Sequence, residues 1–405
     1  MKVLNISVAL FLACSTLLSA AEKNEKLEEY ISQNKKEQFS YDYQKNEAES
    51  SKLRDSWIAP LNLQYSYTVS NPYSAEQTSQ NAAIKLDQPI FQSGGIYYAI
   101  KFAEVSHLYA NYSVDAAKRK LVKDAISLLM QIKQLKLKID KQNLQIKNAE
   151  INLELKKEQY LSGQLDSGFL DNAIIERNSV IQALYDIETT KERLISKFQA
   201  ISDSSYESAQ IPHLEVLDKE SFLEYNILLN ISKSDREKYR YTKNMTIAKY
   251  LPKVSITGGY NWSKSEKQLF SASDGERDYY DYGVKASMPL SINTFRDVES
   301  AKIDFLKSKL VIEDKKRELN ALFEQVMQNI DNFDKKRVLS IENRDLYEKL
   351  LVDTKNLFTA GYKTKYDVDL LENSVEIQKL DVMIFDIDRQ LELLTLYEMY
   401  INDKY

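Results

Sequence analysis

The residues that could support catalysis or metal binding are few and widely separated. The chain contains two histidines, His107 and His213, and one cysteine, Cys14. No Ser–His–Asp triad, metal cluster or glycine-rich phosphate loop is apparent in the sequence. The 60 acidic residues are interleaved with 55 basic ones, which is typical of solvated helix faces, and the net charge of −5 offers no basic surface for nucleic acid. The sequence therefore predicts a protein that is not an enzyme, with no catalytic residue, cofactor or metal.

Residues 1–21 have the pattern of a secretory signal peptide. Lys2 is followed by the largely apolar stretch Val3–Leu18, and small residues precede a predicted cleavage after Ala21. This stretch is shorter than the roughly 20 residues that span a bilayer. Cys14 lies within it, so the predicted mature chain has no cysteine. The alternative is a lipobox that ends at Cys14, with this residue acylated, although the largely apolar residues that follow it favour the signal peptide.

The spacing of glycine and proline predicts very long helices. The chain has only 9 glycines and 6 prolines, and two stretches of 67 and 71 residues contain neither. At 1.5 Å per residue, each stretch could form a helix about 100 Å long. Each ends at a glycine, which is typical of a helix C-cap and turn. We predict long helices at 96–162 and 291–360, turns at Gly163 and Gly361, and return helices at 169–201 and 366–400.

Apolar spacing indicates coiled-coil packing along these helices. From Leu128 to Leu153, seam residues recur at alternating steps of four and three, with Gln142 as the one polar member. The second return helix repeats this spacing over 380–394. In the second long helix the apolar positions run into Arg337, so we expect that seam to be interrupted or to switch face.

Four tyrosine-rich segments alternate with a period of two, at 61–70, 82–88, 254–263 and 280–288. In each, one face is apolar or aromatic and the other is polar or charged. This pattern is typical of strands in a transmembrane β-barrel, although a water-soluble sheet with one buried face alternates in the same way. Four such strands behind a signal peptide favour the barrel. The polar face would then line a water-filled lumen, with these charged members: Lys85, Asp87, Asp281 and Lys285.

The order of elements occurs twice. Pro60 and Pro252 precede strands, Pro89 and Pro289 follow strands, and the two turn glycines are 198 residues apart. We predict one structural repeat at 22–205 and a second at 206–405, each consisting of a helix, two strands, a long helix, a glycine turn and a return helix. Proline suits the end of a strand or the first turn of a helix.

Four strands cannot close a barrel, and an open sheet edge is not stable in lipid. The barrel must therefore be shared between chains, with eight strands from two chains or twelve from three. The predicted fold class is an α+β membrane protein, in which long coiled-coil hairpins accompany four transmembrane strands per chain.

Three features are combined in this chain: the duplicated order of elements, the Pro-Leu type exits from the strands, and two turns with an aromatic residue three positions before glycine. In this combination the chain resembles the outer membrane efflux proteins. This TolC-like family matches over roughly residues 22–401. The resemblance implies a homotrimer in outer membrane lipid, with a twelve-stranded barrel and a periplasmic α-helical barrel. It also implies two partners, a periplasmic adaptor (membrane fusion) protein and an inner membrane transporter driven by protons or by ATP.

The resemblance also implies roles for residues at the turns. Adaptors dock at these turns, which are marked here by Tyr160, Gly163, Phe358 and Gly361. Lys363 matches a basic position, and Asp367 an acidic ring position, that keep the periplasmic entrance closed. Two departures from the family pattern weaken or change this network: Leu370 replaces a second acid of some relatives, and Phe358 lacks a tyrosine hydroxyl.

The sequence thus predicts the exit duct of a tripartite export system. One alternative is the outer membrane component of type I protein secretion, because partners largely select the cargo. Another, from a different class, is a soluble periplasmic coiled-coil adaptor or scaffold protein. That alternative explains the helical hairpins and the signal peptide, but it does not explain four tyrosine-rich strands or the duplication.

Overall fold

A computed structural model describes residues 29–71, 76–266 and 275–401. The predicted signal peptide, with Cys14, lies outside the described residues. Contacts divide the chain into two compact units. We call them the helical unit, with residues up to 40, 115–228 and from 316 onward, and the sheet unit, with residues 41–114 and 229–315.

The described residues form seven α-helices, a short 3₁₀ helix and four strands. The helices are α1 (Gln33–Arg54), α2 (Gly95–Leu161), α3 (Ser167–Gln199), α4 (Lys219–Glu224), α5 (Ile227–Lys249), α6 (Thr294–Thr359) and α7 (Lys365–Tyr397), and the 3₁₀ helix is Asp55–Trp57. The strands are β1 (Asn62–Ser70), β2 (Gln77–Phe91), β3 (Lys253–Glu266) and β4 (Gly275–Ser287). Helices α2 and α6 have 67 and 66 residues, or about 100 Å each.

Strand β2 is much longer than the segment 82–88 that period-two alternation predicts. Its first residues, Gln77–Asn81, are all polar or small, so they show no alternation of polarity. Pairing on both sides, to β1 and β3, extends the strand. Pro89 lies inside β2, next to a shift of register at Phe91. Proline is tolerated at such an irregularity because the ladder hydrogen bonds are already disrupted there.

In the helical unit, α2 buries more than the predicted seam. Ile132, Gln142 and Ala149 are buried seam members, whereas Ile126 and Leu129, outside the seam, are among the most deeply buried side chains. The reason is that α2 packs against two helices. The Gln142 side chain donates to the Val180 carbonyl of α3 at 2.8 Å, and Lys141 Nζ lies 2.6 Å from Asp381 Oδ1 of α7.

The seam of α6 becomes polar without switching face. Val326 and Ile330 are buried, and the same spacing continues through Arg337 to buried Ser340. Arg337 Nε lies 2.8 Å from Asp386 Oδ1 of α7, an ion pair whose angle falls outside hydrogen-bond geometry. The same face of α6 is therefore used on both sides of Arg337, and at this position an ion pair with α7 replaces an apolar contact.

The four strands form one antiparallel sheet in the order β1-β2-β3-β4. Its register places polar residues together on one face and apolar residues together on the other. One row across the sheet is Asn62, Lys85, Gly259 and Asp281, and the next row, on the opposite face, is Leu63, Ile84, Tyr260 and Tyr280. Strands β1 and β4 are the edges, and each pairs with only one described strand of this chain.

Candidate functional sites

The register places all four charged residues predicted for a lumen on one face of the sheet. Lys285 Nζ lies 3.4 Å from Asp87 Oδ2, across the intervening strand β3. The Asn261 side chain donates to Asp281 Oδ1 at 3.0 Å, and Lys85 shares a cross-strand row with Asp281. Both members of the ion pair are about half exposed. This face is thus continuous and hydrophilic, and it could line a water-filled lumen.

A glycine that sequence reasoning does not single out makes room for one of these charges. A Cβ atom at Gly259 would lie 2.8 Å from Asp281 Oδ1, closer than real Cβ contacts occur. The neighbouring Gly258, on the other face, has no atom within 4 Å of such a Cβ. Adjacent glycines within a strand are the signal that could have revealed this, because an interior glycine often marks close approach.

The opposite face of the sheet is apolar and exposed. Its large exposed side chains include Leu63, Tyr65, Ile256, Tyr282 and Val284. The rings of Tyr280 and Tyr282 stack with centroids 6.4 Å apart. A contiguous apolar surface of this kind marks contact with lipid or with another protein.

The two glycine turns of the helical unit have the same backbone geometry. Gly163 and Gly361 have φ angles of +74° and +82°. Each glycine N–H donates to the carbonyl three residues earlier, at 2.9 Å from Gly163 to Tyr160 and 3.0 Å from Gly361 to Phe358. The next N–H donates five residues back, at 2.9 Å in both turns. This is the Schellman motif, in which an αL glycine satisfies the last carbonyls of a helix.

Each turn presents an aromatic side chain at the same position. Tyr160 is 41% exposed and Phe358 is 43% exposed. Leu161 in the first turn and Tyr362 in the second are more exposed still. Sequence reasoning does not select these two residues, because single exposed apolar residues are common on protein surfaces.

Lys363 and Asp367 lie together at the start of α7. Their side chains are 3.3 Å apart, between Nζ and Oδ1. Asp367 Oδ2 accepts hydrogen bonds from the Thr364 N–H and the Thr364 hydroxyl, both at 2.9 Å, and the Asp367 N–H donates to Thr364 Oγ1 at 3.3 Å. Thr364 is the N-cap of α7, so Thr364 and Asp367 form a capping box.

These contacts hold the pKa of Asp367 below its ordinary value. The hydrogen bond from the Thr364 backbone is the largest cause. Burial opposes it and is the next largest effect, and the Thr364 hydroxyl and the Lys363 ammonium lower the pKa further. The structure thus keeps this carboxylate charged and fixes its position. Its role at a closed entrance stays a prediction.

The first turn has no equivalent acid–base pair. The positions that correspond to Lys363 and Asp367, 198 residues earlier, are Leu165 and Phe169. Asp166 is the N-cap of α3, but its side chain accepts no cap hydrogen bond. Among the described residues, this acid–base pair is therefore a feature of the second turn alone.

His107 and His213 both lie among the described residues. His107 Nε2 lies 3.2 Å from Glu47 Oε2 and 3.1 Å from Asn111 Nδ2 in the sheet unit. No cluster of three or more potential metal ligands occurs in the described ranges. None of the described helices combines the length and the apolar composition needed to cross a membrane.

Solved structures of outer membrane proteins share this fold over most of the chain. VceC of Vibrio cholerae matches with a TM-score of 0.68 and 15% identity, over 94% of this chain and 97% of its own. The CmeC outer membrane channel of Campylobacter jejuni matches with a TM-score of 0.69 and 12% identity, over 98% and 93%. CusC, studied for transmembrane channel formation, gives 0.67 and 13%, over 98% and 94%. No family model and no curated protein sequence matches this chain.

The resemblance predicted from the order of elements is therefore confirmed at the level of the fold. The helices and the four-stranded antiparallel sheet correspond to those of outer membrane channels. Identities of 11–15% show the fold alone.

Proposed function

We propose that this chain is the outer membrane channel of an export system, conducting substrates passively from the periplasm to the exterior. One observation carries the proposal. A single sheet separates a continuous polar face from an exposed aromatic face, in a chain that shares the fold of outer membrane channels over most of its length. In a barrel, these faces would meet water and lipid respectively.

The two open edges of the sheet support a barrel shared between chains. A sheet edge in lipid leaves backbone N–H and C=O groups unsatisfied, which costs several kcal/mol for each group. Pairing of β4 with β1 of the next chain would remove both edges. Three chains would supply twelve strands, as the family resemblance implies, and we propose a homotrimer.

The glycine turns are proposed as docking points for a periplasmic adaptor protein, which would connect the duct to an inner membrane transporter. Their support is geometric. Each turn is fixed by two hydrogen bonds and carries a half-exposed aromatic ring, Tyr160 or Phe358. A rigid turn loses little conformational entropy on binding, which favours its use as a docking site.

Asp367 is proposed as a member of the closed entrance. Copies of a carboxylate around a narrow axis would repel anions and attract cations. An aspartate is charged near neutral pH, and the lowered pKa of Asp367 extends the charged form to more acidic pH. Lys363, its ion-pair partner, would link the turn to the same site.

Planar-bilayer recording of the purified protein tests the channel and its entrance together. We expect discrete single-channel currents from the wild type and a higher conductance from D367A. The matched control is D369A, which removes a carboxylate two residues further along α7 but leaves the capping box intact. Unchanged conductance in D367A would remove Asp367 from the constriction. Extraction of the protein by carbonate without detergent would overturn the channel itself.

A further inference from the structure

The polar face of the sheet carries more positive than negative charge. Within the described strands, the register places these charged residues on that face, all of them exposed: Lys85, Asp87, Lys253, Arg277, Asp281 and Lys285. Four cations against two carboxylates leave this face with a net charge of +2, whereas the whole chain has a net charge of −5. The sign of the charge on this face is therefore opposite to that of the chain.

The two acids that flank Arg277 in the sequence, Glu276 and Asp278, lie on the opposite face of the sheet. The Trp262 indole N–H donates to Glu276 Oε1 at 2.8 Å, and the Tyr260 hydroxyl donates to Asp278 Oδ2 at 3.1 Å. Both donors belong to the apolar face of β3. These hydrogen bonds hold the two carboxylates on the side of the sheet away from the Arg277 guanidinium.

Contacts within the polar face compensate only part of its positive charge. The ion pair between Lys285 and Asp87, at 3.4 Å, joins one cation to one carboxylate. Three further cations form no ion pair with a described carboxylate: Lys85, Lys253 and Arg277. Their charges therefore face the space in front of the sheet.

Closing the barrel between chains would bring no carboxylate to this face. Strand β1, which would pair with β4 of the next chain, contains no charged residue. Its positions on the polar face are all amides or hydroxyls: Asn62, Gln64, Ser66, Thr68 and Ser70. Assembly would therefore leave the cations of β4 beside neutral neighbours, and a trimer would carry the same net charge three times around one lumen.

Positive side chains around a water-filled pore attract anions. Walls of low dielectric constant focus the field of these charges into the pore, and rings of lysine and arginine are typical of pores for anions. In outer membrane barrels, substitutions on the lumen face change the selectivity of the channel. A net positive face of this kind therefore determines which solutes the pore favours.

From these observations we infer that the β-barrel of this channel is selective for anions, with Lys85, Lys253 and Arg277 as the residues that determine the preference. Anionic solutes are then the class that the barrel conducts best. The inference rests on the proposed function, which places the polar face in a lumen. The barrel and the proposed entrance have opposite preferences, because Asp367 would attract cations. The preference of the barrel is therefore measured with that carboxylate removed.

Reversal potentials in planar bilayers test this selectivity, with the full-length D367A protein as the parent. A KCl gradient is applied at low ionic strength, where charges are screened least. We expect a permeability ratio of chloride to potassium above one in the parent. K85Q and R277Q should lower this ratio, and D281N should raise it. The matched control is E276Q, which removes the charge next to Arg277 but on the apolar face, and it should change the ratio less than R277Q does.

The recordings separate failure of the selectivity from failure of the channel. If neither the wild type nor the parent gives single-channel currents, the proposed function fails and the selectivity fails with it. If currents occur but the ratio in the parent is one or less, or if K85Q, R277Q and D281N leave it unchanged, the barrel is not selective for anions and the channel stands. An effect of E276Q as large as that of R277Q would also overturn the inference, because the polar face would then have no special role.

Discussion

At the scale of single residues, the second turn shows how local structure fixes the position of a charged side chain. In the sequence Asp367 is an acid near a turn, and the structure places it at the N3 position of a capping box whose N-cap is Thr364. Its carboxylate accepts from Thr364 and pairs with Lys363. The same contacts stabilise the start of α7 and favour the charged form of the side chain.

The stability of the first turn of α7 should therefore depend on pH. Because the pKa of Asp367 is lower in the folded protein than its unfolded value of about 3.9, its contribution is complete above that value and is lost as the pH falls through the lowered pKa. Hydrogen exchange of residues 364–368, corrected for intrinsic rates, should show this loss in the wild type. D367N should exchange faster at neutral pH and lack the dependence, whereas D369N should behave like the wild type.

A second residue-scale prediction concerns the paired glycines of β3. G259A places a Cβ against Asp281, whose short side chain must leave its hydrogen bond to Asn261. We expect a loss of about 1–3 kcal/mol, as for other overpacked sites, and a lower thermal transition in detergent. G258A is the control, because its Cβ meets open space on the other face. Equal melting of both variants would contradict the close approach at Gly259.

At the scale of elements, the helical hairpins depend on two turns with the same backbone geometry. Helices α2 and α6 both end two residues before the turn glycine, and α3 and α7 both begin four residues after it. The same two hydrogen bonds close each turn. Because the left-handed conformation is needed at one residue only, a single glycine is enough to end each long helix and reverse the chain.

We expect G163A and G361A to destabilise their turns equally. Both glycines have positive φ, and a Cβ atom on either would meet open space, so the cost is conformational, about 1–2 kcal/mol for an alanine in the left-handed region. Amide exchange at the following residue should accelerate about five- to thirtyfold. G168A, within the first turn of α3, should leave exchange unchanged or slow it, since its glycine has no positive φ. A large difference between the two turn variants would show that tertiary contacts, and not backbone strain, fix one of them.

At the scale of the whole molecule, the sheet is the part whose two faces need different surroundings. Its polar face carries the Asp87–Lys285 ion pair, and its apolar face carries exposed tyrosine and aliphatic side chains. Neither face is covered by the described strands of the chain itself. The proposed assembly supplies water on one side and lipid on the other.

Adjacent residues of β4 provide a direct test of these surroundings. V284R puts a cation on the apolar face, which we expect to cost up to about 2–4 kcal/mol if the site is near the bilayer midplane, and less toward the interface. The yield of folded, membrane-inserted protein should fall accordingly. K285R keeps the natural cation on the polar face at almost the same depth and should insert normally. Normal insertion of V284R would exclude lipid contact at this face.

Sequence patterns predict different parts of the structure with different success. The turns are accessible because each depends on one glycine after a run without helix breakers. Strand β2 is predicted too short, because its first five residues carry no alternation and are strand only through their neighbours. The capping box is visible in principle as Thr364 followed three residues later by an acid, but a short acid is a weaker signal than the usual Glu or Gln.

The order of glycine, proline and apolar residues along the chain was sufficient for the long helices, the two turns and the opposite polarity of the two strand faces. These features depend on local backbone preferences and on periodicity, both of which can be read from neighbouring residues. The register that gathers Lys85, Asp87, Asp281 and Lys285, the fit of Gly259 against Asp281 and the exposure of Leu290 and Ile292 were decided by the tertiary structure. Each depends on residues far apart in the chain, whose relative placement follows from strand pairing and packing.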